Sequence, residues 1–378
     1  MIKLLNHILV FREGAWRPTE ILIADRRIAR VADRIPCSLE GLEIIDGQGM
    51  KAIPGYLDQH VHITGGGGEG GFSNQVPPLR FSAPVKAGIT TLVGLLGTDG
   101  TTRSVESLVA KTKALRENGL TAFCLTGAYE YPSPTVTGSV RRDIVLIEEC
   151  IGVKIAICDH RSASITRDEL ARLASDAHQA GILSGKPGIV HLHTGSGPDR
   201  LDLIFDVLAH SNIPISVFRP THVAGKLEDA LRFAQMGGYI DITCSAENPD
   251  NRAGLILDAV SRAPRGLVTI STDGNGSMPV WNEKNEMIGI GAGSVASLHE
   301  NILAMVRRGA PLEEAILPAT ENPARALKLY PRKGALLEGS DADILLLDGA
   351  GRIDTVFALG RMLLRGGEMQ VHCNFEDC

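Results

Sequence analysis

Nowhere does this chain reach the ~20 consecutive apolar residues that a membrane-spanning helix needs, so no helical membrane span is expected. It has no run of lysine and arginine, and its formal charge of −6 argues against nucleic acid as a partner. The seven cysteines are odd in number, scattered and without CxxC spacing. That pattern fits reduced thiols in a cytoplasm, acting as small apolar filler. The N-terminal MIKLLNHILVF has one lysine and a short apolar run but no small-residue cleavage site, so no signal peptide is expected. No GxGxxG opens a helix after the first strand of the middle region, and no repeat of solenoid period is present.

What is there is a chain of 378 residues, 44% hydrophobic, long enough to bury a large core, with 42 glycines suited to many tight loops. Both ends are β-rich. Short runs at Lys3–Phe11, Thr19–Ala24, Arg27–Val31 and Leu42–Asp46 are matched by Asp343–Leu347, Asp354–Ala358 and Arg361–Leu364. The middle alternates. Strands are expected at Ala52–Leu57, Thr90–Leu95, Thr121–Thr126, Val153–Ile157, Gly188–His193, Ile215–Pro220, Tyr239–Thr243 and Val268–Ser271. Helical segments such as Ser104–Glu117, Arg167–Ala180, Leu201–Leu208, Lys226–Met236 and Ala253–Arg262 lie between them. Eight such units predict an α/β chain: a (β/α)8 (TIM) barrel over 52–331, with a small β-sandwich domain built from both ends, 1–51 and 332–378. An open doubly wound sheet is the alternative.

The stretch Ile53–Gly71, IPGYLDQHVHITGGGGEGG, carries the first chemical signal. His60 and His62 are two apart, so a strand puts both imidazoles on one face, where they can hold one metal ion. Two ordinary strand histidines would look the same. Further polar residues then fall at strand ends: Lys154 in GVKIAICDHRS, His193 in IVHLHTG, His222 in RPTHV and Asp273 in TISTDGNGS. Barrel enzymes work at the C-terminal ends of their strands, and all six residues lie at or near that rim. Four histidines and one aspartate suit two zinc ions, which can share one hydroxide and polarise a carbonyl together. They supply little negative charge. A lysine carrying CO2 as a carbamate would add a bridging anion, and Lys154, inside an apolar strand where an unpaired ammonium is costly, is the candidate.

The segments PGYLDQHVHITGGGGEGG, AGITTLVGLLGTDG, LTGAYEYPSPTVTGSV, IGVKIAICDHRS, PTHV, GGYIDIT and STDGNGS resemble the amidohydrolase superfamily. Within it they resemble the isoaspartyl (β-aspartyl) dipeptidase branch, whose members hydrolyse isoaspartyl dipeptides. The resemblance covers essentially the whole chain. It implies that His60, His62 and Asp273 bind one zinc and His193 and His222 the other, with carboxylated Lys154 between them. It makes Asp273 the general base, taking a proton from the attacking hydroxide and passing it to the leaving amine, and sets Tyr129 on the carbonyl oxygen. Glu69 would take the substrate's α-ammonium. The backbone of Gly67 and the hydroxyls of Thr98 and Ser277 would take its α-carboxylate, and Arg161 a substrate carboxylate. A homo-oligomer is also implied. Zinc follows from ligand type, although Mn or Co suit the same donors. His191 is read as structural, and His160 as at most a support behind the site.

Other readings predict different sequences. A sister amidohydrolase acting on cyclic amides or N-acyl amino acids would keep the metal ligands but lose the combination of GGGGE and GAYEYPS. A non-catalytic assembly protein or binding module would show gaps among the ligands. A mononuclear deaminase would not need Lys154. One departure from the branch is clear: its usual arginine three residues after the strand-six histidine is Gly225 here, with Lys226 beside it as a point cation. Recognition of the leaving residue is therefore expected to be weaker or different. KM for β-aspartyl dipeptides with free and amidated C-termini should be similar, and a large penalty for the amide would refute this.

Overall fold

The computed structural model describes residues 2–38, 40–281 and 287–376; positions 1, 39 and 377–378 of the expected terminal domain and 282–286 of the expected barrel lie outside them. Strands from both ends of the chain form one nine-stranded sheet. Ile2–Arg12, Ala15–Ala24, Arg27–Ala32, Leu42–Asp46 and Lys51–Pro54 come from the N-terminal end, and Ile344–Leu347, Ile353–Ala358, Arg361–Arg365 and Glu368–Met369 from the C-terminal end. The two ends meet where Ile344–Leu347 pairs antiparallel with Lys51–Pro54. Alternation along these strands buries Leu5, Ile8, Ile21, Ile23, Ile344 and Phe357 in a core of their own.

Eight parallel strands follow: β1 (Tyr56–Val61), β2 (Ile89–Gly94), β3 (Thr121–Gly127), β4 (Cys150–Ile157), β5 (Ile189–Thr194), β6 (Phe218–Thr221), β7 (Ile240–Thr243) and β8 (Val268–Ser271). The first six form a continuous curled sheet in sequence order, and β7 pairs with β8. Just past β8, Gly274 makes a parallel bridge to Val61, with His62 N donating to Gly274 O at 2.8 Å. Inside, Asp241 on β7 accepts from Gln59 on β1, Thr221 on β6 and both Thr269 and Ser271 on β8. These strands are buried on both faces, as parallel sheets covered by helices are. Helices at Val105–Glu117, Arg167–Ser184, Asp202–Ala209, Leu227–Gln235 and Pro249–Arg262 connect them. The third-strand to fifth-strand region is punctuated by a capping box at Thr166 and Glu169 and by Gly185, left-handed at φ 69°, as the helix stop.

Two expected strands differ. The run 52–57 is two strands, because Gly55 turns the chain from the terminal sheet into β1; its N–H donates to Asp343 O at 2.9 Å. A Cβ there would lie 2.2 Å from Thr90 Oγ1, so only glycine fits. The terminal sheet thus extends through Pro54, past the expected boundary at 51/52. The run 215–220 begins as a 3-10 turn, Ile215–Val217, set by Pro214, and only Phe218–Thr221 is strand. No helix among the described residues is long and apolar enough to cross a membrane, and the six described cysteines are unpaired.

The terminal sheet is joined to the curled sheet by a buried ionic cluster. Lys333 is 2% exposed; its Nζ lies 2.9 Å from Asp341 and 2.6 Å from Asp343, and it donates to Thr121 at the start of β3. Removing Lys333 leaves the buried Asp343 without its cation, whereas Asp341 keeps Arg27 and Arg332. Lys333→Met is expected to lower unfolding free energy by about 3–5 kcal/mol, measured by urea denaturation; a loss below about 1 kcal/mol would contradict this role.

Candidate active site

The first cluster is assembled from β1 and the segment after β8. His60 ends β1 and His62 follows it, ring centroids 5.4 Å apart. Asp273 Oδ1 lies 3.1 Å from His60 Nε2 and 3.0 Å from His62 Nε2. The ligand atoms of these three residues lie within 4.8 Å of one another. The approach is not aligned as a hydrogen bond: Asp273 Oδ1 is buried without a donor, and His62 Nδ1 and His222 Nε2 are likewise unpartnered. Such orphans are rare unless something absent satisfies them.

The second cluster comes from β4, β5 and β6. His193 on β5 and His222 after β6 have ring centroids 4.6 Å apart. His222 Nδ1 meets Thr243 Oγ1 at 2.6 Å, and its Nε2 stands 3.9 Å from Asp273 Oδ2. Lys154 on β4 is fully buried, with Nζ 3.3 Å from His60 Nε2; among the described residues no carboxylate lies within ion-pair distance of it. Asp273 and His222 both adopt left-handed backbone, φ 53° and 61°. That conformation costs roughly 1–2 kcal/mol per residue, and strain of this kind concentrates at functional sites.

Burial sets the protonation states. It drives His60 down to about 3 and His193 to about 4, and His222 well below its ordinary value, so these three imidazoles are neutral and each carries one nitrogen lone pair. Burial would raise Asp273, but the neighbouring His60 and His222 hold it well below the usual carboxylate range. Burial also brings Lys154 down to about 7, against the opposing pull of Asp273 and Asp241. Neutral imidazoles and an ionised carboxylate are the state in which these groups ligate a metal, and with three unpartnered buried atoms the donor set fits divalent cations.

Beside the clusters is a polar chamber lined by His62, Gly67, Thr98, Tyr129, Arg161 and Ser277, among others. Tyr129 OH lies 2.6 Å from His193 Nδ1, and burial, reinforced by Asp273, raises its phenol well above the ordinary value. It therefore remains a neutral donor. Glu69 Oε1 accepts from Thr98 Oγ1, Ser277 Oγ and Arg161 Nη1, each at 3.0 Å, while Oε2 is buried with no partner. Burial opposes ionisation of Glu69, but its own backbone N–H and those three donors hold it low. The hydroxyls expected to meet a substrate carboxylate thus rest on Glu69 instead. The chamber is about 40 Å³, a space for waters rather than for a dipeptide. It adjoins a larger cleft of about 520 Å³ lined by Arg161, His193, Arg200, His222, Gly225 and Lys226. Lys226 does not offer its charge freely there: its ammonium donates to the carbonyls of Thr194 and Gly195, as a nearly buried cation requires.

Two residues near the site, Asp159 and Arg103, had no reading of this kind in the sequence. Asp159 contacts His193 Nε2 at 2.9 Å and Arg161. Arg103 donates to the carbonyls of Thr64, Gly66 and Val76, so the glycine run is a pinned turn rather than an open loop. His191, read as structural although its i, i+2 spacing from His193 also allows a place near the site, sets its Nε2 3.1 Å from His60 Nδ1. His160 is exposed and approaches only Asp159.

The model of the amidohydrolase family matches residues 52–363. Among solved structures, the chain is similar to β-aspartyl dipeptidase from Fervidobacterium islandicum AW-1 in complex with β-Asp-Leu dipeptide. The two are 39% identical with a TM-score of 0.91, and the match covers 100% of both chains. A second structure of β-aspartyl dipeptidase from the same organism gives 38% identity and a TM-score of 0.87, also over 100% of both chains. Among curated relatives, a dihydroorotase from Staphylococcus epidermidis is 30% identical over 116 residues, a match spanning 31% of this chain and only 26% of that protein.

Proposed function

The chain belongs to the amidohydrolase family and is a hydrolase, and from that premise we propose that it cleaves β-aspartyl (isoaspartyl) dipeptides using two divalent metal ions, zinc by ligand type. The observation that supports the substrate reading is Glu69, whose Oε1 accepts from Arg161, Thr98 and Ser277, three residues that line the chamber, and whose Oε2 is buried without a partner. An isoaspartyl dipeptide keeps both its α-amine and its α-carboxylate, because its peptide bond runs through the side chain. A hydrogen-bonded group of one carboxylate, two hydroxyls and a guanidinium beside a metal-ligand cluster complements both groups. We also read the eight parallel strands as one closed (β/α)8 barrel, supported by the contact of β1 with the segment after β8. The terminal sheet is read as folding into a sandwich, supported by Ile2–Arg12, which pairs with Leu42–Asp46 along one half and Lys51–Pro54 along the other.

His60, His62 and Asp273 would hold one ion and His193 and His222 the other, with Lys154 as a carbamate between them. When bound, the ions supply an activated water and polarise the scissile carbonyl. The chain does the rest. Asp273, ionised and facing both clusters, takes the proton from the attacking water and gives it to the leaving amine. Tyr129, kept as a phenol by burial, donates to the carbonyl oxygen as charge develops there. Glu69 takes the α-ammonium on Oε2. The substrate's α-carboxylate then draws the hydroxyls of Thr98 and Ser277 and the N–H groups of the Gly67 turn. Arg161, facing the larger cleft, meets a substrate carboxylate through its remaining N–H groups.

Blocking the α-amine should therefore be costly: N-acetyl-β-Asp-Leu is expected to show kcat/KM at least about 30-fold below β-Asp-Leu, the loss of a buried charge partner. Equal rates would exclude Glu69 as the ammonium site and favour an N-acyl hydrolase. For Lys154, metal-loaded protein equilibrated with 13C-bicarbonate should show a carbamate carbon resonance that is missing from Lys154→Met. No difference between the two spectra would remove the carbamate from the scheme.

A further inference from the structure

Asp159 has no part in the scheme above, yet it touches both halves of the site. It lies two residues past β4, with its side chain 6% exposed. Oδ2 is 2.9 Å from His193 Nε2. Oδ1 accepts from Arg161 Nε at 2.9 Å and Arg161 N at 2.8 Å, and Oδ2 accepts from Arg161 Nη2 at 3.0 Å. A carboxylate offers about four lone-pair positions, and these contacts use them all. Beyond its two partners stand different parts of the site. His193 presents its other nitrogen, Nδ1, toward Tyr129 at 2.6 Å. Arg161 presents Nη1 to Glu69 at 3.0 Å.

This placement is built into the chain. After His193, the segment through Gly195 and Gly197 runs directly over residues 158–159, with Gly195 N donating to Ile157 O at 3.1 Å and Gly197 N to Cys158 O at 2.8 Å. A Cβ on Gly195 would stand 2.4 Å from the Asp159 Cβ. Glycine there lets the strand-five loop bring His193 and Asp159 into contact.

The chemistry of the contact is specific. Donation of Nε2–H to a carboxylate fixes the imidazole tautomer and leaves the Nδ1 lone pair free for a metal. A two-point grip on Arg161 holds the plane of the guanidinium. We propose that Asp159 is a positioning residue for two groups at once: it sets His193 so that Nδ1 faces a metal ion, and it sets Arg161 so that Nη1 meets Glu69. The plainer alternative is an Asp159–Arg161 ion pair with His193 as a bystander. The proposal rests on the two-ion, β-aspartyl reading given above.

The test uses full-length protein loaded with Co2+ or Zn2+, two variants and two readouts. Metal affinity is measured by chelator competition, followed through the Co2+ absorption bands, and KM and kcat are measured with β-Asp-Leu. Asp159→Asn should weaken the ion held by His193 and His222 by about 10–100-fold, leave the ion at His60, His62 and Asp273 unchanged, and raise KM. Arg161→Met, which leaves Asp159 on His193, should raise KM with both metal affinities intact. Unchanged metal affinity in Asp159→Asn would overturn the proposal. So would equal metal loss in the two variants, since Asp159 would then act only through the ion pair. The metal readout needs no substrate. A protein that binds two ions but leaves β-Asp-Leu intact would refute the substrate reading alone.

Discussion

The constraint on which this structure turns is the burial of several imidazoles and an ammonium around one carboxylate. His60, His62, Lys154 and His193 are all buried, and Asp273 reaches both clusters. Desolvation makes His60 and His193 neutral and takes Lys154 down to about 7. A protein interior does not accumulate such groups for stability, since each is expensive to bury. In the proposed reading, cations would satisfy the imidazoles and the orphaned Asp273 oxygen, and a carbamate on Lys154 would supply the missing anion. The parallel strands serve that end by delivering one or two of these side chains each to the same rim.

Outside the clusters, the site is held by charge exchange rather than by apolar packing. Glu69, Arg161 and Asp159 form a chain from the chamber to His193. Thr98 and Ser277 lean on Glu69. Under the proposed reading, a zwitterionic substrate would exchange its own charges for contacts that Arg161, Thr98 and Ser277 now make with Glu69. The small chamber volume reflects these mutual contacts.

Much of this was legible in the sequence because it follows local rules. The His60–His62 spacing has the strand period, and Val268–Ser271 and Leu42–Asp46 are strands with the bounds their patterns predict. Other features depend on residues far apart in the chain. Nothing local distinguishes Pro54–Gly55 as a junction between two sheets; that follows from Asp343 and Thr90. Arg103 reads as an ordinary loop arginine until the carbonyls of Thr64, Gly66 and Val76 converge on it. The hydroxyls of Thr98 and Ser277 were expected to meet a ligand. They rest on Glu69 because a hydroxyl takes whichever acceptor is near. Lys226 likewise looked like a spare cation, and the carbonyls of Thr194 and Gly195 claim it.

The most direct measurement of the central claim is hydrolysis of β-Asp-Leu against α-Asp-Leu by protein reconstituted with zinc and bicarbonate. The account predicts cleavage of the β-linked peptide with little of the α-linked one, and loss of that cleavage by about 10²–10⁴-fold in Asp273→Asn. Equal cleavage of both peptides, or of neither while two ions are bound, would contradict it and return attention to amides of a different shape.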